Sequence, residues 1–209
     1  MIDLHTWTTP NGYKISIMLE ELGLPYNVVP VNLGTQQQFT PEFTAMNPNR
    51  RIPVIVDHDV PGGPLAIFES GAILIYLAEK TGRFLPKEAR PRAAVLQWLM
   101  FQMSDVGPMI GQLGYFFNME EKIPGAIQRF IDESMRIIGV LNEDLRDREY
   151  LAGEYSIADM ATYPWISAAW KPMMGMFPDK AAELGNVKAW LDRVGARPAV
   201  ERGMKVPKV

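Results

Sequence analysis

Apolar positions along the chain change their spacing repeatedly, and the changes mark out elements. Ile2 to Trp7 mixes apolar and polar residues as a short strand does. Ile15, Met18, Leu19 and Leu22 then share one helical face, with Thr9 as N-cap, Pro10 at the first helical position, and Gly23 and Pro25 ending the run. Tyr26 to Val31 reads as a strand that Pro30 pushes toward an edge or a strand end. After a polar loop, Thr40-Pro41-Glu42-Phe43 starts a short helix by the same cap-plus-proline device. Ile52-Pro53-Val54-Ile55-Val56 and Leu65 to Phe68 are two short strands joined by the turn cluster Asp57 to Pro64. Ser70 is placed as the N-cap of a helix over Gly71 to Lys80, with Gly82 at its left-handed C-terminal cap. Strand, helix, strand, helix, strand, strand, helix is the order of a small mixed sheet with helices on its faces.

Past this point strand signals nearly vanish. The proline- and charge-rich stretch from Arg83 to Pro91 marks a boundary, giving an α/β domain over 1–82, a linker over 83–90 and an all-helical domain over 91–209. Ala93 to Phe117 forms one long helix that Gly107-Pro108 kinks or splits. Pro124 to Arg146 forms the next, burying Ile127, Phe130, Ile131, Ser134, Ile137, Ile138 and Leu141. Ser156-Ile157-Ala158-Asp159 resembles a capping box with Asp in place of the usual Glu or Gln, and is read as structural. Asn186 to Val194 is the last amphipathic helix, stopped by Arg197-Pro198.

Composition narrows the chemistry. The 209 residues are 47% apolar, and 21 basic against 24 acidic residues leave a net charge of −3 with no basic block, so neither nucleic acid nor an anionic membrane is expected as partner. There is no cysteine, so any sulfur chemistry must use a borrowed thiol. Met1 to His5 lacks the pattern of a signal peptide, and no apolar run approaches the ~20 residues of a membrane span. A cytoplasmic location is expected. His5 and His58 have no metal-type spacing, Asp57-His58-Asp59 reads as a solvated loop, and no metal is expected. Serine-hydrolase, phosphate-loop and dinucleotide motifs do not occur.

Two strand-to-helix junctions carry chemical meaning. At Glu69-Ser70 a helix mouth can hold a carboxylate on amides and a hydroxyl, and the adjacent acid can hold an ammonium; the pair suits an amino-acid zwitterion, although taken alone it also reads as a surface carboxylate beside an ordinary cap. Pro53 leaves Ile52 with backbone groups that an extended peptide can pair with. At Thr9-Pro10-Asn11 a hydroxyl, a side-chain amide and a positive helix end converge, a setting that can lower the pKa of a bound thiol from its usual ~8.5, although on sequence alone Thr9 reads as an ordinary cap and Asn11 as a polar first-turn residue.

Arg51-Ile52-Pro53, Glu69-Ser70 and the apolar helix after them resemble the glutathione-binding half of a cytosolic glutathione transferase, and the resemblance extends over nearly the whole chain. Thr9-Pro10-Asn11-Gly12-Tyr13-Lys14, Gln38-Phe39 and Phe68-Glu69-Ser70-Gly71-Ala72-Ile73 look most like the bacterial nu class, with its disulfide-reducing members and their yeast nitrogen-regulator relatives. The resemblance implies a thioredoxin-like N-terminal domain, an all-helical C-terminal domain, a homodimer, a cis bond before Pro53, and glutathione as co-substrate. It assigns Thr9 and Asn11 to catalysis, and Gln38, Arg51, Ile52, Glu69 and Ser70 to glutathione. Arg129 resembles the position from which nu-class subunits reach into the partner's site. Thr9 and Asn11 replace the Tyr, Ser or Cys of better-known classes, which leaves open which of the two activates sulfur. The expected function is a glutathione-dependent disulfide-bond oxidoreductase acting on a small disulfide. Conjugation of glutathione to small electrophiles is the alternative, and a non-catalytic glutathione-binding regulatory module a third.

Overall fold

The computed structural model describes all 209 residues, which divide into two compact units: Met1–Leu85 with Ala196–Val209, and Pro86–Gly195. The first is built on β1 (Ile2–Thr6), α1 (Pro10–Leu22), β2 (Tyr26–Pro30), α2 (Pro41–Met46), β3 (Val54–Asp57), β4 (Leu65–Phe68) and α3 (Ser70–Thr81). A single 3₁₀ turn, Gln37–Phe39, precedes α2. The sheet order is β2-β1-β3-β4, with β1 and β2 parallel and the β1–β3 and β3–β4 pairs antiparallel. This is a thioredoxin-like arrangement, and helical segments follow it through the second unit.

Local sequence explains most of the boundaries. Thr9 is extended and its hydroxyl accepts the Gly12 N–H at 3.2 Å, Pro10 opens α1, and Gly23 closes it at φ 66°. Gly82 closes α3 in the same left-handed conformation, φ 69°. At the other end of α3 the structure departs from the sequence reading. Ser70 lies inside the helix, and Glu69 occupies the cap position at φ 70°, a conformation that costs a non-glycine residue roughly 1–3 kcal/mol. The reason is tertiary: the Ser70 hydroxyl is engaged by Lys14 from α1.

Pro53 precedes β3, which has a neighbour on each side, so it marks a strand entry and not an edge. The Ile52–Pro53 peptide is cis. Asp57 is likewise not part of a solvated loop. It ends β3 fully buried and accepts from Lys80 Nζ at 2.6 Å and Tyr76 Oη at 2.7 Å, two α3 side chains that hold its carboxyl below the usual range against the cost of burial. His58 reaches Asp3 on β1 at 2.8 Å.

The chain's last segment returns to this unit. Pro198, read from sequence as a stop, is the first residue of another helix, α10 (Pro198–Gly203), once the segments of the second unit are counted in chain order as α4 to α9. It packs on α1, where Gly203 O accepts from Ser16 Oγ at 2.7 Å, and Arg197 and Arg202 each reach α1 carboxylates, Glu21 and Glu20, at 2.6 Å. Gly203 is required there because a Cβ would stand 2.6 Å from the Ile17 backbone.

In the second unit α4 (Ala89–Phe101) and α5 (Gly107–Asn118) are separated by a π-helical segment, Gln102–Val106. The widened turn falls immediately ahead of Gly107-Pro108, where the missing proline N–H and the ring break the regular ladder. α6 (Pro124–Asp144) buries Ile131, Ser134, Ile137, Ile138 and Leu141. α7 (Ile157–Met176) opens on a complete capping box. α8 (Pro178–Glu183) and α9 (Gly185–Gly195) follow, and Asn142 of α6 caps α9 by accepting from Asn186 N and Val187 N at 3.0 and 3.2 Å.

Candidate functional site

The sheet register gathers the residues singled out in the first unit. His5, Val54 and Phe68 lie in one row across β1, β3 and β4. Three segments therefore leave the same end of the sheet: the β1–α1 junction with Thr9 and Asn11, the approach to β3 with Arg51 and Ile52, and the β4–α3 junction with Glu69 and Ser70. The two antiparallel pairings make this possible, since β1 runs toward this end, β3 away from it and β4 toward it again.

At the first junction Thr9 N–H donates to Trp7 O at 2.7 Å and Thr9 O accepts from Tyr13 N at 3.0 Å. Asn11 is the second residue of the helix, at its positive end. Gly12 is buried so closely that a Cβ would lie 2.4 Å from both Thr6 Oγ1 and Trp7 O. The helix mouth is thus pressed onto the end of β1.

The segment before β3 is shaped by buried Asn47. Its side chain donates to Arg51 O at 2.7 Å and accepts from Asn49 N at 2.9 Å, and its carbonyl accepts from Arg50 N at 3.0 Å. Ile52 packs with Val31, Phe43 and Val54. The β3 ladder begins at Val54, so the Ile52 backbone lies outside it. The Arg51 side chain is exposed. Gln38, in the 3₁₀ turn, has a buried Oε1 with no hydrogen-bond partner, an acceptor whose desolvation calls for an N–H from elsewhere.

At the third junction Glu69 is exposed and Ser70 is buried. The first backbone bond of α3 runs from Ile73 N to Glu69 O, so the amides of Gly71 and Ala72 precede the helical ladder and face out of its mouth. Sequence reasoning assigned no role to Lys14. It is 1% exposed, and its Nζ donates to Ser70 Oγ at 3.2 Å, linking the two helix mouths across 56 residues of chain. Burial pushes its ammonium down to about 7, with the Glu69 carboxylate partly opposing the shift. The signal for it was a lysine on the apolar stripe, three and four residues ahead of buried Ile17 and Met18. Arg129 belongs to the second unit, exposed on α6. No group of three or more His, Asp or Glu that could hold a metal ion occurs.

Residues 2–79 match the glutathione S-transferase N-terminal domain and residues 124–193 the glutathione S-transferase C-terminal domain. The chain belongs to the glutathione S-transferase family. Among relatives in that family, the disulfide-bond oxidoreductase YfcG of Escherichia coli (strain K12) is 47% identical, over 98% of this chain and 94% of that one. YghU of the same organism, also a disulfide-bond oxidoreductase, is 39% identical over 97% of this chain and 73% of its own. A glutathione transferase from Pseudomonas putida, solved with one glutathione disulfide bound per subunit, superposes with a TM-score of 0.93 at 42% identity, covering 99% of this chain and 91% of that one. A transferase from Burkholderia graminis, solved with two glutathione molecules per subunit, gives 0.88 at 47% identity over 99% and 88%.

Proposed function

We propose that this glutathione S-transferase family member is a glutathione-dependent disulfide-bond oxidoreductase. Similarity over 97–98% of this chain to two disulfide-bond oxidoreductases carries the reading. The lack of cysteine fixes its form, because both reacting thiols must then arrive as ligands. A glutathione thiolate attacks one sulfur of the substrate disulfide, forming a mixed disulfide and expelling one substrate thiolate. A second glutathione thiolate attacks the glutathione sulfur of that mixed disulfide, giving glutathione disulfide and releasing the other substrate thiolate, which takes up a proton. Two glutathiones are oxidised and one disulfide is reduced.

In this scheme the α1 mouth, with Thr9 and Asn11, holds and ionises sulfur. Ile52 pairs with the ligand backbone, and Gln38 Oε1 receives a ligand N–H. The α3 mouth with Ser70 holds the γ-glutamyl carboxylate, Glu69 its ammonium, and Arg51 a second carboxylate. The same sulfur geometry serves conjugation, so the test is a paired one. Turnover of bis(2-hydroxyethyl) disulfide with glutathione is expected to exceed conjugation of an aromatic halide; tight glutathione binding without disulfide turnover refutes the assignment.

We further propose nu-class membership and, as a division along the chain, a glutathione-binding domain over 1–82, a linker over 83–90 and a helical domain over 91–209, whose last segment, 196–209, packs back on the first unit. A homodimer is the proposed assembly. It is supported by apolar area left exposed at Leu65 and Phe68 of the edge strand β4, and at Met100, Tyr115 and Phe117. In that dimer Arg129 reaches the neighbouring subunit's ligand. No helix is long and apolar enough to cross a membrane, and a cytoplasmic setting, where glutathione is kept reduced, suits the reaction.

A further inference from the structure

The residues between α2 and β3 form neither helix nor strand, yet one buried side chain holds them at both ends. Asn47, 1% exposed, is anchored to α2 by its N–H, which donates to Phe43 O at 2.9 Å. Its Oδ1 accepts from Asn49 N at 2.9 Å, a turn closed on its own side chain, and its Nδ2 donates to Arg51 O at 2.7 Å. Its carbonyl accepts from Arg50 N at 3.0 Å, and Arg50 stands at φ 57°, a conformation that residues with a Cβ rarely adopt.

The bond to Arg51 O has a consequence one residue further on. Arg51 C=O and Ile52 N–H belong to one planar peptide, which is trans, so the two groups point in opposite directions. With the carbonyl turned onto Asn47, the Ile52 N–H is turned away from it, and no group of the chain accepts that N–H. The Ile52 side chain is fixed separately, packed among Val31, Phe43 and Val54. The N–H is therefore held in one direction by its own peptide plane, ahead of a ladder that starts only at Val54. It is a prepared donor for an extended ligand.

We propose that Asn47 is a positioning residue of the glutathione site: by holding Arg51 O it aims the Ile52 N–H at a peptide carbonyl of glutathione. This rests on the glutathione reading above. Asn47 acts through the peptide and not on the ligand. The role belongs to the donor half of its amide, because the acceptor half serves the turn at Asn49. An Asp in its place keeps the shape and that acceptor but sets a carboxylate oxygen against Arg51 O, which turns the carbonyl aside and the Ile52 N–H with it.

Amide NMR and hydrogen exchange with S-methylglutathione, which binds without reacting, test this. In the unmodified protein the Asn47 Nδ2 proton bonded to Arg51 O is expected to exchange slowly before any ligand is added. The Ile52 amide should move downfield and gain about tenfold or more protection only when ligand is bound. Asn47→Asp should lose the Ile52 response at saturating ligand and raise the Kd about tenfold, while the Gly71 and Ala72 amides at the α3 mouth keep their ligand shifts. Asn47→Ser, whose hydroxyl can serve Asn49 N but is too short to reach Arg51 O, should show the same selective loss without an added charge. An Ile52 response that survives in both variants, or a loss at Ile52 and the α3 mouth alike, overturns the role of Asn47 and leaves the glutathione reading standing. Binding to the unmodified protein that leaves the Ile52 amide unmoved, or an Asn47 Nδ2 proton that exchanges freely, does the same. No binding to the unmodified protein overturns both. These last outcomes are read on the unmodified protein, so they decide even if neither variant folds.

Discussion

A residue's part in this site follows from whether it meets charge that develops during reaction or charge that is already there. Asn11 sits at the α1 mouth, where a sulfur gains negative charge as it ionises, so Asn11→Ala is expected to lower kcat for bis(2-hydroxyethyl) disulfide tenfold or more while changing glutathione Kd by less than about threefold. Ser70 meets a carboxylate charged in every state, so Ser70→Ala is expected to raise the Kd about tenfold with little change in kcat. Steady-state kinetics beside calorimetry separates the two. Equal, purely binding defects in both variants would remove Asn11 from the chemistry. Mutating Thr9 is less informative, because its hydroxyl also caps α1 through Gly12 N.

Elements hold these residues by close contacts that leave no spare volume. Gly12 has helical geometry and owes its identity to space alone, so Gly12→Ala must force the α1 mouth off the end of β1. The variant is expected to lose about 1–3 kcal/mol of stability in urea denaturation and most of its glutathione affinity; wild-type affinity would show that the mouth need not press on β1. Asp159 offers the opposite case, an element contact remote in role from the ligand. It accepts from Leu151 N, Ser156 N, Ser156 Oγ and Trp190 Nε1, joining the α7 cap to α9, and burial pushes its carboxyl up to about 6 even against these donors. Asp159→Ala strands several buried donors and is expected to cost about 3 kcal/mol or more, read by the denaturation midpoint. The surviving folded fraction should bind glutathione normally.

At the scale of the whole molecule the cysteine count makes the sharpest demand. With no protein thiol, exposure to iodoacetamide followed by its removal is expected to leave disulfide turnover unchanged, and mass spectrometry during turnover should find no covalent protein–glutathione adduct. Inactivation by alkylation or a trapped adduct would require a different mechanism. Return of the chain end to the first unit is a second molecular feature. α10 covers α1 through Gly203 and Ser16, so the helix bearing Thr9, Asn11 and Lys14 has its outer face packed by residues nearly two hundred positions away.

Sequence alone determined what is settled within a few residues. The Thr9-Pro10 and Thr40-Pro41 starts, the Gly23 and Gly82 ends and the Ser156–Asp159 box each depend on bonds or steric limits that close within about one turn, so residue identity suffices. The same holds for the exclusion of protein thiol chemistry, which needs only composition. Tertiary structure decided the rest. Ser70 moved from cap to partner of Lys14, Asp57 became the buried anchor of Lys80 and Tyr76, Pro198 began a helix instead of ending one, and the break before Pro108 took the form of a π turn. For Ser70, Asp57 and Pro198 the outcome turns on what packs against a polar or constrained group from another part of the chain. Whether a lysine is buried, or which donor reaches a carboxylate, is fixed by the neighbours that exclude water from it, and those neighbours are brought together only by the fold.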